Sequence, residues 1–136
     1  MDFIKTLAVA ASGLRAQAGR MRIISENIAN ADSTPSAPGQ DPYRRKVPVF
    51  ENEVDRELGV RLVELGKPEA DTSAFRIRYE PGHPAADANG NVKYPNVNTL
   101  IEMSDMREAQ RSYEANINVV TATRRMLQRT LDILKA

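Results

Sequence analysis

MSDMREAQRSYEANINVVTATRRMLQRTLDIL, residues 103–134, is the stretch whose periodicity decides the fold. Stepping by three and four from Met103 reaches Met106, Gln110, Tyr113, Ile117, Val120, Arg124, Leu127, Leu131 and Leu134, and only Gln110 and Arg124 are polar. Near the other end the same rule, started at Ile4, selects Leu7, Ala11, Leu14, Ala18, Met21, Ser25 and Ile28, all apolar except Ser25. Apolar residues repeating every ~3.5 positions over several heptads predict long helices with a coiled-coil-like seam rather than ordinary surface helices.

Punctuation agrees. Asn30-Ala31-Asp32-Ser33-Thr34 closes the first arm, and Pro35 and Pro38 forbid its continuation. The second arm follows Pro95-Asn96-Val97-Asn98-Thr99, where Asn98 or Thr99 can cap the new helix, and Glu102 stands at capping-box spacing from Thr99. The expected organisation is a helical arm over residues 1–34, a loop-rich middle over 35–98 and a second helical arm over 99–136. Arms of roughly 28–37 residues reach about 40–55 Å at 1.5 Å per residue.

The middle holds all 8 prolines and most of the glycines of the chain. Phe75-Arg76-Ile77-Arg78-Tyr79 alternates as a half-buried strand does, and Val60-Arg61-Leu62-Val63-Glu64-Leu65 is a second strand candidate. Asn89-Gly90 ahead of Val92-Lys93-Tyr94 reads as a turn. The fold class is therefore mainly α: long N- and C-terminal helices forming a coiled-coil-like inner layer, with a small loop-rich or β middle.

Composition narrows the function. The 136 residues carry 19 basic and 18 acidic side chains for a net charge of +1, so no overall field recruits nucleic acid. With no Cys there are no disulfides, thiolate nucleophiles or Cys-based zinc sites. His83, the 1 histidine, lies in the turn Glu80-Pro81-Gly82-His83-Pro84 without a metal-ligating or acid–base partner nearby in sequence. No phosphate-cradling loop or nucleophile elbow is present. The expectation is a non-enzyme with no metal, cofactor or small-molecule substrate. Arg107, Arg111, Arg124, Arg125 and Arg129 read as solvated faces or inter-subunit ion pairs. The apolar run Leu7–Ala11 is too short for a secretory leader and lacks a basic flank, so export without a cleaved signal is expected. No stretch approaches the ~20 apolar residues of a membrane span.

An arm with one apolar stripe does not offset the entropy of ordering itself, so it needs another surface. Pairing of the two arms in a hairpin and packing of many arms in an assembly both supply one. Ala8, Ala10, Ala11, Gly13, Ala16, Ala18 and Gly19 open more than one face of the first arm to close approach, which favours many neighbours. Asn27 is a poor mid-helix residue; it is either solvated or hydrogen-bonded across a helix interface.

Several stretches resemble the flagellar basal-body rod family. Asn27-Ile28-Ala29-Asn30 is similar to the signature of that family. Pro42-Tyr43-Arg44-Arg45-Lys46-Val47, Tyr79-Glu80-Pro81-Gly82-His83-Pro84-Ala85, Tyr94-Pro95-Asn96-Val97-Asn98 and Arg111-Ser112-Tyr113-Glu114-Ala115-Asn116 resemble a proximal-rod member. The likeness spans nearly the whole chain, with a proline-richer Pro35–Gln40. It implies a structural subunit of the rod, the hollow drive shaft crossing the periplasm, whose terminal helices polymerise with copies of itself and other rod proteins. It further implies passage through the flagellar type III export apparatus, with ends disordered before assembly. Expected interface residues are Leu7, Leu14, Met21, Asn27, Ile28 and Asn30 in the first arm, then Tyr43 and Arg44. In the second arm they are Tyr113, Asn116, Ile117, Val120, Leu127 and Leu131. A dimeric coiled-coil adaptor or export-associated protein that builds no tube would use the same stripes.

Overall fold

The computed structural model describes residues 2–136. The elements run α1 (Phe3–Ala29), β1 (Lys46–Val47), β2 (Phe50–Asp55), β3 (Val60–Leu65), β4 (Glu69–Ala70), β5 (Arg76–Tyr79), β6 (Asn91–Tyr94) and α2 (Thr99–Lys135). The strands form three antiparallel pairs, β1 with β4, β2 with β3 and β5 with β6. The protein is thus mainly α with small sheets in the middle. Both strand candidates and the Asn89-Gly90 turn are present; β2, a run of alternating acids, has too little apolar content to be read as a strand.

Local chemistry sets the ends. Asp2 Oδ1 accepts from the N–H groups of Ile4 and Lys5 at 3.1 and 3.2 Å, capping α1. Asn98 is the cap of α2, its Oδ1 accepting from Leu100 N at 3.1 Å. Glu102 closes no capping box with Thr99, because its carboxylate is buried against Arg45.

The chain folds as two compact units, and each draws on both arms and on the middle. One comprises Met1–Met21, Val49–Lys67 and Arg107–Ala136; the other comprises Arg22–Pro48 and Pro68–Met106. In the first unit, a Cβ placed on Gly13 would lie 2.9 Å from the Asn116 amide, and Arg20 meets Glu108 at 3.6 Å. Higher numbers in α1 meet lower numbers in α2, so the two segments run antiparallel. The β2–β3 hairpin packs on α1 through Leu65, whose Cδ2 would stand 2.6 Å from a Cβ on Gly19, and through Ser12 Oγ, which accepts from Val63 N at 3.2 Å. The hairpin loop closes on Gly59 at φ 65°, a conformation open to glycine without strain.

In the second unit a small apolar cluster of Ala85, Val92 and Tyr94 sits beneath the β5–β6 pair. Arg78 lies over the Tyr94 ring at 4.5 Å, and Arg76 donates to the carbonyls of Pro95 and Ala31 at 3.0 and 2.7 Å. His83 is a turn residue: its Nδ1 accepts from Ala85 N at 3.0 Å, leaving Nε2 to face Thr34 Oγ1 at 3.4 Å.

Candidate assembly surface and the polar hub behind it

The most buried positions of each helix lie beside the apolar repeat rather than on it. On α1 the buried residues are Ala10, Ser12, Ala16, Ile23, Ile24 and Asn27; on α2 they are Glu102, Ala109 and Thr123, with Ser112 and Asn116 half-buried between them. One residue is a rotation of about 100° about the helix axis. The innermost positions of α2 are small or polar; of the apolar repeat beside them Met106, Tyr113 and Val120 are half-buried and the others face out. Met103 is 52% exposed, Ile117 41%, Leu127 36%, Leu131 44% and Leu134 76%. At the start of α1, Ile4 is 67% exposed. An apolar groove of about 330 Å³ in the first unit runs past Lys5, Thr6, Val9, Ala10 and Val119.

Of the expected interface residues, Ile117, Leu127 and Leu131 are exposed, whereas Leu7, Leu14, Met21, Ile28, Tyr113 and Val120 are half-buried. Asn116 is half-buried over Gly13, and Asn30 Nδ2 donates back to Glu26 O at 2.9 Å. Arg44 is engaged within its unit, lying over the Phe75 ring at 4.2 Å and donating to the Asp71 and Ser73 carbonyls at 2.8 and 3.1 Å.

Asn27 is fully buried, and both halves of its amide are satisfied inside the chain. Nδ2 donates to Lys46 O at 2.9 Å and to Glu102 Oε2 at 3.3 Å. Oδ1 accepts from Tyr43 Oη at 2.8 Å and from Lys46 N at 3.0 Å. Arg45 pairs with Glu102, reaches Asp71 at 3.3 Å and approaches Asp105 at 3.8 Å. Asn96 Oδ1 accepts from Arg45 N at 2.8 Å, and its Nδ2 donates to Asp71 O at 3.1 Å and Ser73 Oγ at 3.0 Å. A carboxylate as buried as Glu102 is tolerable only with such partners.

The charges act on one another. Burial, then the carboxylates of Glu26 and Glu102, push the Tyr43 phenol up to about 12. Burial works against the Arg45 cation, but the hydrogen bond and charge of Glu102, with Asp71 behind them, outweigh it and hold Arg45 above its usual value. Asp71 is held below the ordinary carboxylate range by hydrogen bonds from the Ser73 backbone and hydroxyl, then by Arg45. The arrangement is a clamp of paired charges and hydrogen bonds that ties α1, β1 and the start of α2 together within the second unit.

Sequence reasoning singled out Asn27 and Tyr43 for a contact between subunits, whereas here both are engaged within the chain, and it did not identify Arg45, Asp71, Asn96 and Glu102 as their partners. The available signal was the concentration of hydrogen-bonding residues in the Pro42–Val47 and Tyr94–Asn98 stretches.

Residues 7–37 match the family described as Flagella basal body rod protein, and residues 88–133 match Flagellar basal body rod FlgEFG protein C-terminal. The two matches define the class, the flagellar rod proteins; they contain Asn27, Asn96 and Glu102, three corners of the hub. The chain is also 56% identical over 128 residues to the flagellar basal-body rod protein FlgC of Agrobacterium fabrum, covering 94% of this chain and 92% of that one. It is 38% identical to FlgC of Salmonella typhimurium with 98% of each chain covered, and 37% identical to FlgC of Aquifex aeolicus with 99% of each covered. The chain belongs to the FlgC family of flagellar basal-body rod proteins. It is a structural subunit of the rod, not an enzyme, and assembles with other rod proteins. No helix among the described residues is long and apolar enough to cross a membrane.

Proposed function

We propose that the outward apolar stripe of α2, joined by the start of α1, packs against the same helices of neighbouring rod subunits and so forms the inner wall of the hollow proximal rod. One observation carries this reading. The fold spends Ala109, Ser112, Asn116 and Thr123, flanked by half-buried Met106, Tyr113 and Val120, on its internal helix contact and leaves Met103, Ile117, Leu127, Leu131 and Leu134 of the repeat exposed. Burying a Leu, Ile or Met side chain is worth roughly 1.5–3 kcal/mol, so each neighbour that covers Ile117, Leu127 and Leu131 contributes several kcal/mol to assembly. Copies of this chain and other rod proteins are the partners, with coiled-coil-like packing at the contact. Export through the flagellar type III apparatus accords with arms whose outer faces gain stability only on docking.

The test is Ile117→Asp and Leu127→Asp. Because both sites are exposed, the variants keep the circular dichroism spectrum and melting curve of the parent. They are expected to be absent from purified basal bodies and to abolish motility. Normal rods in both variants would overturn the helix-packing mechanism. A stable soluble dimer excluded from basal bodies would instead identify a two-chain adaptor.

A further inference from the structure

The outer face of α2 beyond its apolar stripe carries a second unpartnered feature. Arg124, Arg125 and Arg129 are exposed, and none enters an ion pair among the described residues. Residues 121–131 contain no acid, and the nearest one, Asp132, accepts from Gln128 at 3.0 Å. Arg125 and Arg129 are one turn apart, about 6 Å along the axis.

The complementary surface belongs to the same unit of the same chain. In the β2–β3 register Glu51 opposes Glu64, Glu53 opposes Leu62 and Asp55 opposes Val60, which puts Glu51, Glu53, Asp55 and Glu64 on one face. Like charges directly opposite destabilise a hairpin, and here no cation pairs with them among the described residues. Glu53 registers the crowding: a hydrogen bond from Glu64, then its charge, raise the Glu53 carboxyl above its usual range. Arg56, Arg61 and Lys67 are the hairpin's cations, and Arg61 pairs in register with Val54 on the other face. Residues two apart on a strand are separated by about 6.8 Å, close to the spacing of Arg125 and Arg129.

We propose that the acidic face of the β2–β3 hairpin in one copy docks on the Arg124–Arg129 segment of α2 in a neighbouring copy. The proposal rests on the reading that α2 packs between subunits, and it adds what sets their stagger. Two different patches meet, so the contact is head-to-tail and leaves a free patch on each end of a growing series. The apolar stripe supplies attraction at any sliding position, whereas paired charges favour one register and penalise the others.

The test is charge reversal with compensation, read as subunit yield in basal bodies from cells whose own copy is deleted. Glu51→Lys with Glu53→Lys, and separately Arg125→Glu with Arg129→Glu, are each expected to lower yield about tenfold or more, since misplaced like charges cost several kcal/mol. All four substitutions together are expected to restore most of it. Failure of the combination to exceed either pair overturns the proposal, as does full yield from each pair. If Ile117→Asp blocks assembly in the same cells, such a failure leaves the apolar packing standing. Should the lysine hairpin not fold, Glu53→Gln with Glu64→Gln decides. It relieves the carboxylate crowding, so the free subunit is at least as stable, yet assembly is expected to fall; unchanged or improved assembly counts against the lock.

Discussion

At the scale of single residues, the hub shows how one poor helix former is kept. Asn27 costs helix propensity, but its amide joins α1 to the β1 backbone, Tyr43 and Glu102 at once. Asn27→Ala strands the Lys46 N–H and carbonyl and removes a donor from a buried carboxylate. A loss of about 2–4 kcal/mol is expected in urea or thermal unfolding, against at most ~1.5 for Tyr43→Phe, which removes a single bond. Asp71 provides the pH signature. Its folded pKa is depressed, so its contribution is complete above the ordinary carboxylate range of about 3.9 and is lost as pH falls through the lower folded value. Unfolding series between about pH 6 and pH 2 are expected to show a steeper acid limb for the parent than for Asp71→Asn. Asn27 was legible in the sequence as a residue needing an explanation. Its three partner residues were not, because they lie 16 to 75 positions away and nothing local encodes the closure.

At the scale of elements, two glycines in α1 have different tasks. Gly13 admits the Asn116 side chain, and Gly19 admits Leu65 of the hairpin. Gly19→Ala gains about 1 kcal/mol of helix propensity and gives most of it back by displacing the tip of Leu65. Gly19→Leu cannot be accommodated that way. The hairpin is expected to lift from α1, and trypsin should cleave at Arg56 and Arg61 much faster while helical circular dichroism is retained. The strands divide the same way between local and distant causes. β5 announces itself by alternation, although its Ile77 and Tyr79 end up exposed rather than half-buried, and β3 by its apolar content, whereas β2 is held by its register to β3 and by Gly66 N donating to Val49 O at 2.8 Å. Acids spaced along an otherwise free strand edge also discourage unwanted pairing.

At the scale of the whole molecule, the helices have unequal support. Every residue from 124 to 136 is exposed, and a free helix of about a dozen residues is marginal in water. Hydrogen exchange is expected to be fast there in the isolated chain and slow in basal bodies; equal protection in both would separate order from assembly. The central part of α2 differs, since Ala109, Asn116 and Thr123 are turned inward, so the arms are not uniformly dependent on neighbours. The heptad repeat by itself determined that both ends are long helices that each carry an apolar stripe, and the flanking prolines and capping residues marked their limits. Whether that stripe is spent within the chain was decided only by tertiary structure. Residues one apart lie on faces about 100° from each other, and periodicity marks a face without naming what covers it. That depends on how segments a hundred residues apart are clamped, and here Gly13, Asn27, Arg45 and Glu102 turn the polar stripe inward.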